Sequence, residues 1–298
     1  MAAPQPSPRV GVLSGPGARV LLVGMGQHPP TSQLPTLGSV SATVSDLAAV
    51  LVECCGAPSG RIHTVADPAS PLVFGEALHE AATNAQDVLL VCFVGHGLLD
   101  ADGELYLATG ATDHVRDRLE FTAVPYAVLR KELDRSPARQ RIVVLDCCFS
   151  GQAGGLATLH WPDGLVTSRA PGGYVLASAA PEESALSPPD QPHTMFTGEL
   201  IRLLREGDPT GPPALTLDHL YRCLDRALTS RRGPRPRRYV TGQAGDLVLA
   251  SNPAYRPPRS PPPPSVRSDG VCPYRGLAAY DVVDADYFLV AKPSPSFS

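Results

Sequence analysis

Lysine is nearly missing from this 298-residue chain: it stands only at Lys131 and Lys292, and every other basic residue is arginine. With abundant alanine and proline, that pattern points to coding bias, so an arginine cluster carries less weight here as a binding signal. Positive charge is not in excess either. The formal net charge is −4, which argues against a general nucleic-acid binder. No apolar run is long enough to span a bilayer, so no membrane partner is expected. The opening M-A-A-P-Q-P-S-P-R-V has no basic segment followed by an apolar core, so it does not read as a secretory signal. There is no internal repeat and no G-x-x-x-x-G-K-[ST] loop, which excludes nucleotide binding in the Walker manner. The seven cysteines are Cys54, Cys55, Cys92, Cys147, Cys148, Cys223 and Cys272, and none forms a C-x-x-C pair. An odd number, mostly in apolar segments, predicts free thiols in a cytoplasmic protein. Without paired ligand spacing no zinc site is expected, and no cofactor is indicated.

What is present suffices for a core: 43% of the residues are hydrophobic and 18% charged. Residues 1–17 are rich in proline, glycine and serine and are expected to be disordered. Arg19 to Gly24 predicts a buried strand, followed by a Gly/Pro loop over Met25 to Pro35. Apolar residues at helical spacing predict a helix over 37–54, a short strand follows at Arg61 to Val65, and a second helix ends near Asn84. Val88 to Val94 is the most apolar strand. This alternation predicts a parallel sheet with helices on both faces.

After His96 the period changes to two, and an Asp-Gly turn inside Gly97 to Thr109 predicts a small hairpin. Asp100, Asp102 and Glu104 begin like a calcium loop, but the match ends after three positions, and the turn accounts for them better. Tyr126 to Leu133 predicts a helix, Ile142 to Leu145 a fourth strand, and Tyr174 to Ala179 a fifth. Between the last two lies a long glycine-rich loop over 151–173. Two amphipathic helices, Phe196 to Arg205 and Leu217 to Leu228, and a last strand at Leu247 to Ala250 complete the domain. Arg231 to Arg238 reads as a solvated basic loop, since it has no interleaved aromatics. Pro253 to Gly270 reads as a stiff extended linker.

The chemistry concentrates at two strand ends. V-L-L-V-C-F-V-G-H-G delivers His96 between glycines, and R-I-V-V-L-D-C-C-F-S-G delivers Asp146, Cys147 and Cys148. Open α/β sheets bind ligands outside such C-terminal edges. A thiol becomes a good nucleophile beside a base, and the 52 residues separating His96 from Cys148 allow one crossover between neighbouring strands.

These motifs resemble the caspase/metacaspase branch of the caspase-like cysteine peptidases. That branch carries D-x-C-x-S-G at its nucleophile, matched here by Asp146, Cys148, Ser150 and Gly151. The histidine lies about fifty residues upstream in caspases, as His96 does. The resemblance spans roughly Arg19 to Ala250. It implies a three-layer α/β sandwich with a mostly parallel six-stranded sheet. It implies a domain over 18–252, a linker over 253–270, and a tail over 271–298. The tail, C-P-Y-R-G-L-A-A-Y-D-V-V-D-A-D-Y-F, resembles the opening of a STAND-type NTPase module. The usual F-G-R continuation is missing, Phe288 being followed by Leu289, so no NTPase activity is expected of this chain.

The resemblance also implies roles. Cys148 is the nucleophile, with Cys147 pointing the other way along the strand. His96 is the general base. The backbone N–H groups of Gly97 and Cys148 form the oxyanion hole. Asp146 lines the pocket for the residue before the cut, predicting a preference for Arg or Lys there. Relatives often add a second Asp early in the first helix; Thr43 aligns there, with Asp46 one turn later. Arg169, in the loop after the nucleophile, is a candidate self-cleavage site. The expected partners are a protein or peptide substrate and a regulatory partner or fused module. Two other readings stay open: a catalytically silent caspase-like scaffold, and a different α/β thiol hydrolase such as an amidase.

Overall fold

A computed structural model describes residues 11–113, 118–150, 172–180, 191–231, 233 and 235–257, with the side chains of 148–150 and 179–180 excepted. By its contacts the chain divides into Met1–Arg256 and Pro257–Ser298. All described residues but Pro257 belong to the first unit. Arg169 with the rest of 151–171, and the stretches assigned to linker and tail beyond 257, lie outside the described residues.

Ten strands occur among the described residues. The main sheet runs β2 (Ile62–Ala66), β1 (Arg19–Gly24), β3 (Val88–Leu99), β6 (Gln140–Ser150), β7 (Gly173–Ala180), β9 (Pro236–Val240). Every neighbouring pair is parallel except β7 with β9. The fold is thus mixed α/β with a mostly parallel central sheet, as the sequence predicts. The central strands are apolar through their middles, residues 20–23, 88–94 and 142–145, because both faces are covered there. Residues alternate between two cores. Leu22, Val94 and Val144 face α1 (Val40–Glu53), α5 (Met195–Glu206) and α6 (Leu217–Ser230). Leu21, Phe93 and Leu145 face α2 (Pro71–Asn84), α3 (Leu119–Thr122) and α4 (Tyr126–Arg135).

The chain runs from β1 outward to β2, then returns across the sheet to β3. The order therefore reverses between β1 and β3, and a crevice opens at the C-terminal ends of strands at such a switch point. The loop leaving β1 and the end of β3 meet there. The predicted hairpin is present: β3 turns back into β4 (Leu105–Leu107), which pairs with β5 (Val124–Pro125). Asp100 Oδ1 accepts from the backbone N–H of Asp102 and Glu104, each at 2.9 Å, which identifies this stretch as a side-chain-braced turn.

Three expectations need correction. Of the stretch 1–17, residues 11–17 are ordered, and residues 1–10 lie outside the described residues. A single 3-10 turn, Val12–Ser14, sinks Leu13 fully into the core, and the Gly17 carbonyl accepts from Gln86 and Asp87. Burial of one apolar side chain fixes a stretch whose composition predicts disorder. The basic loop at 231–238 is in part the edge strand β9. Proline opens it, where a missing N–H is tolerated, and charges on an edge deter pairing with another chain. Its Arg238 pairs with Asp218 and lies 4.7 Å over the Tyr221 ring. The last strand, β10 (Val248–Ser251), does not join the main sheet. It pairs antiparallel with β8 (Ala214–Thr216) in a separate two-stranded sheet.

Candidate active site

Both strands that carry the candidate residues run further than their apolar cores suggest. β3 continues through His96 and Gly97 to Leu99, and β6 continues through Cys148 to Ser150. They stay in parallel register throughout, with His96 opposite Cys148 and Gly97 opposite Phe149. Neighbouring strands lie about 4.8 Å apart, so the backbone brings His96 and Cys148 to the same level of the sheet. The side chain of Cys148 lies outside the described residues. Cys147 is fully buried in the core shared with α2 and α4, on the opposite face from Asp146 and α5.

His96 is fully buried. Its Nε2 lies 2.8 Å from the Pro35 carbonyl oxygen. A carbonyl can only accept, so Nε2 carries a proton, and Nδ1 is the acceptor nitrogen of the neutral ring. Pro35 belongs to the loop after β1. That loop is tied down at both ends. Met25 donates to the Val94 carbonyl, Leu37 donates to the Gly26 carbonyl, and Asp67 Oδ1 accepts from Gly26 at 2.8 Å and Gln27 at 2.9 Å. Gly95 lets the loop approach. A Cβ there would lie 2.9 Å from the Met25 carbonyl oxygen and 3.0 Å from Phe93 Cζ.

The same loop supplies His28. Its ring centroid is 5.2 Å from that of His96, tilted 51°. Both its nitrogens are buried without a hydrogen-bond partner. Burial pushes its pKa down to about 4, and the nearby His96 adds to the shift while Asp67 opposes it. His28 is therefore a neutral ring against the candidate base at neutral pH. Neither Pro35 nor His28 is indicated by the sequence motifs. The Gly/Pro composition of the loop marked a turn, but nothing in it marked a contact 61 residues away.

Asp146 is fully buried at the level of Val94. All its described hydrogen bonds fall on Oδ2: Thr194 Oγ1 at 2.7 Å, Thr197 Oγ1 at 2.6 Å and the Thr197 N–H at 3.0 Å. Oδ1 is buried without a partner. Burial raises the carboxyl pKa, and the threonine bonds offset this only in part. Thr43 is locked in the same assembly. Its hydroxyl donates to the Ser39 carbonyl and accepts from the Thr194 N–H at 2.9 Å. Asp46 is turned to a different task, pairing with His193 Nε2 at 2.7 Å. A cavity of about 500 Å³ opens beside Thr194, between His193, Met195, Glu199 and Arg231. Gly97 pairs with Leu107 on one side and Phe149 on the other.

Among the described residues no helix is long and apolar enough to cross a membrane. Among the described residues, one group of potential ligands comes together away from this site: Asp208, His219 and Cys223.

No curated protein sequence matches this chain. Solved structures do. A crystallised protein from Geobacter sulfurreducens superposes with a TM-score of 0.54 at 16% identity, covering 80% of this chain and 99% of that one, which bears on the fold alone. The sequence model of the caspase domain, peptidase family C14, matches residues 42–244. That span contains His96, Asp146 and Cys148, and with the sheet order above it shows that the chain belongs to the caspase domain family.

Proposed function

We propose that this protein is a cysteine endopeptidase that splits peptide bonds with a dyad of His96 and Cys148. Membership of the caspase domain family implies cysteine peptidase chemistry in general. The observation that carries the finer reading is the strand register, which pairs His96 with Cys148 at the sheet's C-terminal edge. With Nε2 engaged by the Pro35 carbonyl, Nδ1 takes the thiol proton. The thiolate adds to the substrate carbonyl carbon, and the N–H groups of Gly97 and Cys148 stabilise the oxyanion. One such donor contributes on the order of 3 kcal/mol. The imidazolium returns its proton to the leaving amine as the C–N bond breaks. Water then hydrolyses the thioester with the same nitrogen as base.

Asp146 selects Arg or Lys before the cut. The support is the unpartnered Oδ1, since a buried carboxylate oxygen without a donor is costly until a cation reaches it. His96 and Asp146 are both buried, which supports regulation at the step that admits substrate. A partner or a fused C-terminal module would control it, and Arg169 is the proposed self-cleavage point.

A thiol-reactive probe with an Arg recognition group tests this. It should label the wild type and not Cys148→Ala, and His96→Ala should react far more slowly. Peptides with Arg before the cut should be hydrolysed. Asp146→Asn should keep the threonine contacts and the fold, yet lose the preference for Arg. Equal hydrolysis after Asp by the wild type would refute the specificity. Absence of labelling in a folded wild type would leave the silent scaffold.

A further inference from the structure

At the far end of α5 from Asp146, three ligand-type side chains converge. Asp208 follows the helix, and His219 and Cys223 stand one turn apart on α6. Asp208 Oδ2 lies 3.1 Å from His219 Nε2 and 3.4 Å from Cys223 Sγ, and Sγ lies 3.4 Å from Nε2. These are nearly the edges of a coordination tetrahedron. Zinc bonds of about 2.0 Å to oxygen and nitrogen and about 2.3 Å to sulfur set ligand separations of about 3.3–3.6 Å. All three residues are at least nine-tenths buried.

The surroundings are built to hold that arrangement. Asp208 Oδ1 accepts from the Thr210 N–H at 3.0 Å and its hydroxyl at 2.8 Å, which leaves Oδ2 turned to the other two ligands. Asn252 clamps the Asp208 backbone, accepting from its N–H and donating to its carbonyl. Gly211 closes over the group: a Cβ there would come within 2.7 Å of His219 Nε2 and 3.0 Å of Asp208 Oδ2. A cation already lies on the open side. Arg226 Nη2 is 3.3 Å from both Asp208 Oδ2 and Cys223 Sγ, on a side chain that is 66% exposed and able to swing away.

We propose that Asp208, His219 and Cys223 bind one zinc ion, with water in the fourth position on the side now covered by Arg226. Mixed carboxylate, imidazole and thiolate donors suit zinc over calcium or magnesium, which prefer oxygen alone. On binding, the thiol proton is released and the imidazole presents the Nε2 lone pair while Nδ1 carries the hydrogen. The ion ties the loop after α5 to α6. The proposal is independent of the peptidase reading.

The test uses the full chain carrying Cys148→Ala, so that the proposed nucleophile contributes no thiolate. After exposure to zinc and dialysis, elemental analysis should find one zinc per chain. Cobalt in its place should give tetrahedral visible bands and a thiolate charge-transfer band. Cys223→Ser should abolish that band, and His219→Gln should weaken binding by more than about tenfold, since even outer-shell partners of a metal typically contribute 10–100-fold. Arg226→Ala should bind at least as tightly. Zinc should raise the melting temperature of the parent protein and not of the ligand variants. A folded protein that retains no zinc overturns the proposal. So does a cobalt spectrum that neither ligand substitution changes, or binding that Arg226→Ala removes.

Discussion

His28 is a ring that folding must keep neutral, because both its nitrogens are buried without partners beside His96. Its pKa falls from an ordinary 6.5 to about 4, mainly through burial. Between those two values the unfolded chain binds more protons than the folded one. The contribution to stability is thus complete above pH 6.5 and is lost as pH falls toward 4. Asp146 works the other way. Its raised pKa favours the folded state at low pH and ceases to do so as pH rises. The informative quantity is therefore the difference between wild type and His28→Phe. Urea midpoints measured from pH 7 to pH 4.5 should fall more steeply for the wild type. Parallel curves would mean that His28 is not held neutral by its site. Little of this could be read beforehand. The motif exposed His96, Asp146 and Cys148 because strand-plus-glycine patterns are local. His28 and Pro35 act through a distant loop whose composition says only that it bends.

At the scale of elements, periodicity served where one face or both are apolar, as in β1, β3, α2 and α6. It failed at β9, where only Pro236 is buried and Arg237, Arg238 and Val240 are exposed, so the strand shows no apolar alternation and its sequence resembles solvated loop. It also stopped short at Val94 and Leu145, since the glycines, His96 and Asp146 break the continuous apolar run although the ladder continues through them. The loop between β1 and α1 is the element on which the candidate site depends most, and Asp67 is its anchor. Asp67 adopts φ of 46°, a left-handed conformation that Asp and Asn tolerate better than most residues. Asp67→Ala removes two acceptor contacts worth about 1 kcal/mol each and adds backbone strain. The Pro35 carbonyl should then orient His96 less well. Peptide hydrolysis should show a lower kcat with KM little changed, whereas Asp67→Asn, which retains an acceptor and suits the conformation, should stay near wild type. Equal loss in both variants would point to the charge of Asp67 and not to its grip on the loop.

For the molecule as a whole, the two cores flanking the sheet account for its cohesion, and they draw on residues from Leu13 to Ala250. No described residue beyond Ala250 belongs to either core, and the contact boundary falls at Arg256. Composition foretold such a boundary, because a run of prolines cannot continue a helix or a central strand and offers little to bury. What composition could not foretell is that the N-terminal edge begins at Leu13 and not at Ala18, since one leucine among prolines and glycines makes no pattern. A chain ending at Arg256 should accordingly unfold in one cooperative transition. Its stability should lie within about 0.5 kcal/mol of the full chain, the range of substitutions away from packed features. For a domain of this size that corresponds to about 1–2 °C in melting temperature. Calorimetry of the two proteins at equal concentration and pH decides the matter. A drop of many degrees on removing Pro257–Ser298 would mean that those residues share in the core, and the assignment of the sheet and its two helical layers as a self-sufficient unit would have to be abandoned.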